Sequence, residues 1–420
     1  MTILRRLAAP LLLALVLAGF HGAGSLSDWG YSNDSYRYTR AAYEILGMPR
    51  AQAQAAARDA YCAAGPGTAA CVAANPHGLK PDHPRYERVF DTRPGYPLLA
   101  APFIALLGPL KGLWTLSCAL TALSGVLAYR LLRGAGLGRR ASLAGEAVLL
   151  AGGLGYWGAR ALADSLATPC LLLCGIGVVR ILTAATTTST GAGAGTGRRT
   201  AGLALFATGF LALALTKYST ALLFAVALAA AGGLSLWRRA GQRAVQPAAL
   251  RLLTVTAAGV AGAVAAATSL LGLPAASETM QDTLTRYFTR PDVPDPIRGM
   301  LALEAGYWPT WFHHNAGFAA LLGLCLWALW RHRPALLPFA LAAGLTGLGT
   351  AFAHPLLEEL DRLWVLAWVP VALGVPVLAQ TVLAGTRRSY APQVPNPAGP
   401  QEAARDLIAQ QPRRNGKSTR

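Results

Sequence analysis

The chain has 420 residues, of which 54% are apolar and only 13% are charged, with a formal net charge of +18. Apolar runs of roughly 17 to 25 residues recur along it, and they lack the polar face of a soluble amphipathic helix. This composition excludes an ordinary soluble domain and predicts an all-α, polytopic membrane protein.

The positive charge is concentrated in short segments between these runs. Cytoplasmic loops of membrane proteins favour Lys and Arg, so the charge indicates sidedness. No nucleic-acid recognition motif accompanies it, and we expect no nucleic-acid partner. The basic segments are Arg5 and Arg6, residues 130–140, 198–199, 238–251 and 331–333, and the tail from Arg387.

About ten membrane spans are predicted, at residues 4–20, 112–131, 141–157, 162–182, 201–216, 219–237, 252–272, 314–330, 334–352 and 363–384. With a cytoplasmic N-terminus, ten spans return the C-terminus to the cytoplasm and place every arginine-rich connection there. Residues 1–384 form the transmembrane domain, and the basic tail 385–420 is predicted to be disordered. Residues 1–24 also fit a secretory signal, an alternative that leaves residues 25–95 outside in either case.

Two long segments are predicted on the outer side, at 21–95 and 273–312. The apolar run 96–110 is short and contains three prolines, so we interpret it as an interfacial segment at the outer surface. Cys62 and Cys71 lie in the first outer segment, where an oxidising environment and a short spacing predict a disulfide.

The acidic residues are concentrated on this outer side. Of the 19 acids, only Glu146, Glu402 and Asp406 fall elsewhere in the predicted topology. A transporter or pump needs ionisable groups near the middle of the membrane, and few are present. Acids above an apolar bundle suit a transferase with a lipid-linked sugar phosphate donor. In such an enzyme a carboxylate deprotonates the acceptor hydroxyl and cations compensate the departing phosphate.

Five stretches carry a resemblance to a known family. In chain order they are "NDSYRYTRAAYEILG" with Asp34, "TRPGYPLLAAPFIALLG" with Arg93, "YWGARALADSLATPCLLL" with Asp164, "LALALTKYSTALLFAVAL" with Lys217, and "HPLLEELDRLWVLAWVP" with Arg362. Their order and sidedness resemble the C-type glycosyltransferase superfamily (GT-C), in the branch of protein O-mannosyltransferases and lipid A aminoarabinose transferases. The resemblance covers roughly residues 4–384. The chain departs from the family pattern at Ser35, where an acid is common, and at Gly95, which replaces a proline.

The resemblance implies a role for each of these charged residues. Asp34 would accept the acceptor proton, and Asp164 would orient sugar hydroxyls or water. Arg93, Lys217 and Arg362 would neutralise the phosphate of a polyprenyl-phosphate-linked sugar. The acceptor would be an extracytoplasmic glycan, lipid or protein, and membrane lipids would surround the protein. No cofactor is implied with certainty, and Ser35 leaves open whether a divalent cation takes part.

Four further residues are candidates for substrate binding. Asp28 is a second acid in the first outer segment, and Arg88 lies in the same basic stretch as Arg93. Tyr38 and Tyr96 are aromatic side chains that suit stacking on a sugar, although such residues also form the aromatic belt of membrane proteins.

Each candidate also has a structural interpretation. Asp34 could cap a helix beginning near Ser35, and Arg93 could extend to lipid headgroups. Lys217 and Arg362 could be membrane-surface anchors. The histidines suit solvated or interfacial positions better than metal ligation; on the outer side these are His77, His83, His313, His314 and His354.

Two other functions remain as alternatives to the transferase. One is a lipid or polysaccharide transporter or flippase, which would need a polar path through the membrane. The other is a non-catalytic cell-envelope assembly protein, whose outer segments would bind a partner.

Overall fold

The computed structural model describes residues 2–27, 30–79, 83–184, 192–238, 245–355 and 359–389. Within these ranges every regular element is a helix and no strand occurs, which confirms the all-α prediction for this part of the chain. The chain divides into two compact units, residues 1–379 and 380–420. Asp28 and residues 390–420 lie outside the described residues, whereas residues 385–389 of the predicted disordered tail belong to the last helix.

The first predicted outer segment, which we expect to contain short helices, is a layer of short helices in the structure. It follows α1 (Thr2–Ser27) and consists of α2 (Asn33–Ile45), α3 (Arg50–Ala64), α4 (Thr68–Ala74) and α5 (Pro84–Asp91). A disulfide between Cys62 and Cys71 joins α3 to α4. Tyrosine, phenylalanine and alanine side chains from this layer pack together into one buried cluster.

The predicted interfacial segment is a helix, α6 (Gly95–Leu107). At 1.5 Å per residue it is about 20 Å long, which is less than the roughly 30 Å of a hydrocarbon core. Gly108, with a φ of 77°, separates it from α7 (Pro109–Gly134).

The predicted span 141–157 is wrong as a single helix. It consists of α8 (Arg139–Ala151) and α9 (Gly153–Gly158), separated by the extended residue Gly152. The indole of Trp368 covers this break, and a Cβ on Gly152 would lie 2.7 Å from its ring. The close approach of Trp368 therefore requires glycine at the break.

The remaining helices surround the site described below. They are α10 (Asp164–Thr183), α11 (Ala192–Arg238), α12 (Pro247–Leu270), α13 (Ala276–Leu284), α14 (Pro296–His332), α15 (Leu337–Ala353), α16 (Leu360–Leu363), a 3₁₀ turn (Val365–Ala367) and α17 (Trp368–Ser389). Two of them contain a non-helical residue, Lys217 in α11 and Asn315 in α14. The predicted spans 201–216 and 219–237 thus meet at Lys217, and the predicted outer segment 273–312 contains α13 and the first part of α14.

Seven helices among the described residues are long and apolar enough to cross a membrane. One of them, Gly195–Arg238, has 44 residues, about 66 Å if straight, which is roughly twice the thickness of a hydrocarbon core. The main buried cluster is made by side chains of α1, α7, α8, α10, α11, α12, α15 and α17. Large apolar side chains such as Phe20, Val255 and Leu270 are exposed outside it. These features support a helical membrane protein.

Candidate active site

Four charged side chains from distant parts of the chain meet in one place. Asp164 Oδ1 accepts a hydrogen bond of 2.6 Å from Lys217 Nζ. Arg362 Nη2 donates to Asp34 Oδ2 at 2.5 Å and to Asp164 Oδ2 at 3.2 Å. Each of the four side chains is only 15–19% exposed. Their ion pairs are therefore partly shielded from water and stronger than pairs on an open surface.

Arg362 is the centre of this cluster, because its guanidinium contacts three carboxylates. Besides Asp34 and Asp164, Glu359 Oε2 accepts a hydrogen bond of 3.2 Å from Arg362 Nη1. A planar guanidinium has five donors in a fixed fork, which allows one arginine to hold several acids at once. We refer to Asp34, Asp164, Lys217, Glu359 and Arg362 as the ion-pair cluster.

The cluster also sets the protonation state of Asp34. Burial by itself would raise the pKa of Asp34, but the charge of Arg362, its hydrogen bond and the charge of Lys217 outweigh burial. Together they hold the pKa of Asp34 below its ordinary value. Asp34 is therefore a stable carboxylate and a weaker base than an ordinary aspartate.

The start of α2 aims Asp34 toward this cluster. Ser32 is the N-cap, and it exchanges hydrogen bonds with Ser35 in a capping box. The interpretation of Asp34 as the helix cap is therefore wrong, since Ser32 fills that position and leaves the Asp34 carboxylate for Arg362. Ser35 Oγ also donates to the Ala161 carbonyl at 2.7 Å. This contact gives a physical reason for serine here, because a carboxylate would be repelled by the carbonyl oxygen.

Lys217 reaches Asp164 because the helix is interrupted at Lys217. Its backbone is extended (φ −151°, ψ 85°). Gly95, at the start of α6, packs directly on this corner. A Cβ on Gly95 would come within 2.9 Å of Thr216 Oγ1 and 3.0 Å of the Leu215 carbonyl oxygen. Glycine at this departure from the family pattern therefore permits the close contact between α6 and the corner at Lys217.

Arg93 lies beside the ion-pair cluster, directly after α5, and a second set of ion pairs holds α5 in place. Arg37 Nε donates to Glu87 Oε1 at 2.7 Å, and Arg40 contacts both Glu87 and Asp91, so that α2 is fastened to α5. Arg93 follows α5 by two residues. Its Nε is buried without a hydrogen-bond partner, and its guanidinium forms no ion pair with any described residue. An arginine in this state is suited to receive an anion.

The ion-pair cluster and Arg93 line a cavity of about 770 Å³. Five cationic and four acidic side chains face it, together with threonines and a few apolar side chains such as Leu303 and Leu366. The volume is within the range of small-molecule sites in proteins, which is roughly 300–1,000 Å³.

Sequence reasoning missed part of this cavity. Asp282, Arg286 and Arg290 line it from α13 and the turn that follows, and Glu359 and His354 line it beside Arg362. Asp282 belongs to no recognised motif, so no local signal identified it. His354 and Glu359 lie in the stretch "HPLLEELDR" that was quoted for Arg362, and this proximity is the signal that could have identified them.

His354 is a half-buried histidine in the wall of the cavity. His354 Nδ1 lies 2.8 Å from Thr283 Oγ1, and its ring faces the cavity. Burial, together with the charges of Arg93, Lys217 and Arg362, lowers the pKa of His354 to about 4. His354 is therefore neutral at physiological pH.

The turn after α13 has an unusual backbone. Arg286, Tyr287 and Phe288 have positive φ values of 50°, 63° and 59°. Each such residue costs roughly 1–2 kcal/mol, so three in a row are kept only by surrounding contacts. The Tyr287 N–H donates to the Asp282 carbonyl at 2.8 Å. Strain of this kind occurs mostly at functional sites, and this turn contributes two arginines to the cavity.

Three of the predicted substrate-binding residues do not line the cavity. Tyr38 is buried between Phe90 and Tyr96. The Tyr96 hydroxyl lies 3.0 Å from Ser117 Oγ of α7. Arg88 is exposed and donates to the carbonyl of Gly272. Tyr38 and Tyr96 therefore pack next to the cavity without facing it. Arg88 joins α5 to the segment after α12.

No three His, Cys, Asp or Glu side chains in the described ranges are arranged to hold a metal ion. Arg362 donates hydrogen bonds to both Asp34 and Asp164.

Comparison of the chain with known protein families, curated proteins and solved structures finds no match.

Proposed function

We propose that this chain is a membrane glycosyltransferase of the GT-C type, which moves a sugar from a polyprenyl-phosphate donor to an extracytoplasmic acceptor. One observation carries the proposal. The ion-pair cluster and Arg93, which has no ion pair within the described ranges, line a cavity at the ends of apolar helices. A phosphate with a lipid tail needs cations beside a hydrophobic surface, and this cavity is lined by cations and by apolar side chains.

The topology in the proposal has ten spans. It counts α11 as two crossings that meet at Lys217 and uses the second part of α14, after Asn315, as one crossing. The shorter α8 and α15 also cross. The helix ends at Asp164, Lys217 and His354 then lie on one side of the membrane, and the arginine-rich connections lie on the other. Cytoplasmic loops favour arginine, so the cavity would face the outside, with both termini in the cytoplasm.

The cations have separate roles in the proposed reaction. Arg93 has no ion-pair partner among the described residues, so it can bind the donor phosphate without first breaking a contact. Arg362 and Lys217 already share three carboxylates, and they are held rigidly at the rim of the same cavity. Preorganised positive charge of this kind stabilises the negative charge that develops on the leaving phosphate.

The two alternatives fit these observations less well. A flippase needs polar groups along a path through the membrane, and the charged residues that line this cavity are collected at one end of the helices. A non-catalytic assembly protein gives no reason for an arginine that lines a cavity and forms no ion pair with any described residue. The observations therefore favour the transferase.

The proposal can be tested with the purified full-length protein in proteoliposomes. Undecaprenyl- and decaprenyl-phosphate carrying mannose, glucose or arabinose are the probes, and release of polyprenyl phosphate is the readout. The wild-type protein should release it from at least one donor. Arg93→Gln should raise the KM for that donor about tenfold or more, since a charge-assisted contact contributes roughly 1.5–3 kcal/mol. If no donor is consumed, or if lipid is moved across the bilayer without release, the transferase assignment is wrong.

A further inference from the structure

The carboxylate of Asp282 differs from every other acid that lines the cavity. Asp34, Asp164 and Glu359 each accept hydrogen bonds from Arg362, and Asp164 also accepts one from Lys217. The Asp282 carboxylate forms no hydrogen bond or ion pair with any described residue. It is 8% exposed, and its Oδ1 is buried without a partner.

The position of Asp282 on α13 explains this isolation. Thr279 and Thr283, on the same face of the helix, also line the cavity. The helices α14 and α15 pack against α13 and contribute Leu303 and Thr350, which do not titrate, to the cavity wall. His354, which follows α15, is neutral and is held by Thr283. The charges that act on Asp282 come from Arg93, Asp34, Arg37 and Glu359.

We propose that Asp282, rather than Asp34, accepts the proton of the attacking acceptor hydroxyl. The inference rests on the proposed glycosyl transfer and assigns its base. The acceptor oxygen forms a bond to the anomeric carbon while the bond from that carbon to the phosphate oxygen breaks. The bonding electron pair leaves with the phosphate, and the hydroxyl proton passes to the Asp282 carboxylate and then to water in the cavity.

The contacts of the other acids disfavour them for this role. A general base must be able to gain a proton, and a carboxylate already bonded to a guanidinium loses that contact when it does. Asp34 and Asp164 therefore suit the task of holding Arg362 and Lys217 in place. Asp282 has no such contact to lose, so protonation costs it less.

The acidity of Asp282 agrees with this assignment. Burial is the main reason why the pKa of Asp282 is raised to about 7. General bases work best when their pKa is near the operating pH. His354 lines the same cavity, but its lower pKa makes it the weaker base.

Carbodiimide labelling tests the state of Asp282 without any substrate. Dicyclohexylcarbodiimide reacts with protonated carboxyl groups in apolar surroundings, and peptide mapping locates the modified residue. At about pH 6 the peptide with Asp282 should be labelled while those with Asp34 and Asp164 are not, and the labelling should fall as the pH rises past about 7. Glu146 is buried in α8, where neither carboxylate oxygen has a hydrogen-bond partner among the described residues, and it serves as a positive control. Labelling of Asp34 in preference to Asp282 would overturn the proposal.

Kinetics with the donor found active gives the second test. Asp282→Asn should lower kcat about 100-fold or more and remove the decrease in kcat/KM below about pH 7, since a general base contributes roughly 10²–10⁴. Asp282→Glu should recover part of the rate. Asp34→Asn should lower the rate but keep the same pH dependence. Glu278→Gln is the matched control, because Glu278 lies on the same helix and pairs with Arg85 away from the cavity.

The outcomes separate this inference from the proposed function. If the wild-type protein transfers no sugar, the function is wrong, and the labelling still reports on Asp282. If the wild-type protein is active and Asp282→Asn keeps its rate and pH profile, only the assignment of the base is wrong. The assignment also fails if Asp34→Asn abolishes the pH dependence.

Discussion

Arg362 Nη2 lies 2.5 Å from Asp34 Oδ2, although 328 positions separate the two residues in the chain. Asp34 belongs to the first helix after α1, and Arg362 belongs to the short helix α16 near the end of the bundle. This contact joins the layer of short helices α2 to α5 to the last apolar helices. The position of the outer layer over the cavity therefore depends on a few charged contacts as well as on apolar packing.

Replacing Arg362 should abolish activity. Arg362→Gln leaves Asp34, Asp164 and Glu359 without their shared partner, and removing one member of a buried ion pair costs about 3 kcal/mol or more. We expect a fall in kcat/KM of about 100-fold or more and a lower melting temperature. Arg362→Lys should restore little, because an ammonium group cannot contact three carboxylates in one plane.

A matched control for that variant is Arg298→Gln. Arg298 is exposed near the start of α14 and does not line the cavity. Its replacement should leave donor turnover and melting temperature unchanged. Arg362→Gln with wild-type turnover would contradict the assignment of the ion-pair cluster.

Asp164 and Lys217 should behave as a coupled pair. Asp164→Asn leaves Lys217 without its partner, Lys217→Met leaves Asp164 with Arg362 alone, and the double variant removes both charges. We expect a coupling free energy of about 1–3 kcal/mol from a double-mutant cycle in kcat/KM. Losses that simply add would show that the 2.6 Å contact contributes nothing to function.

The isolated carboxylate of Asp282 should make stability depend on pH. Its pKa in the folded protein is raised to about 7, above the roughly 3.9 of an unfolded chain. The folded state therefore loses stability as the pH rises from about 4 to about 7. Asp282→Asn removes this pH-dependent loss of stability. The melting temperature of the variant should therefore exceed that of the wild type at about pH 8 and equal it near pH 4. A variant that is less stable at every pH would indicate a structural role for the carboxylate.

The disulfide offers a test of sidedness. In Cys62→Ser the partially exposed thiol of Cys71 is released. We expect it to react with a membrane-impermeant maleimide added to intact cells, while the wild-type protein reacts only after reduction. Cys118→Ser, which leaves the disulfide intact, is the control. Labelling of Cys71 only in inverted vesicles would reverse the proposed topology.

Gly95 should resist substitution. Gly95→Ala would place a methyl group within 2.9–3.0 Å of the corner at Lys217. Overpacking of this kind costs typically 1–3 kcal/mol, so we expect a lower melting temperature and reduced donor turnover. Gly108→Ala is not a suitable control because of its positive φ, whereas Gly306→Ala in α14 meets nothing within 4 Å and should be neutral.

The amino-acid sequence by itself determined the helical class, the positions of most apolar helices and which polar residues lie near the helix ends. These features are local, because the apolar length of a segment and the residues that flank it decide whether it suits a membrane. Asp34, Arg93, Asp164, Lys217 and Arg362 were identified by the resemblance of their stretches to the GT-C superfamily, and all five line one cavity.

Only the tertiary structure decided which charged side chains form ion pairs with one another. Tyr38 and Tyr96 look like substrate contacts in the sequence but pack behind the cavity, and Asp282 carries no motif yet is its one acid without a hydrogen bond or ion pair among the described residues. Pairing between residues hundreds of positions apart depends on how helices pack. The pattern of neighbouring residues contains no information on that packing, so the lack of an ion pair at Asp282 and at Arg93, within the described part of the chain, becomes apparent only once the helices are assembled.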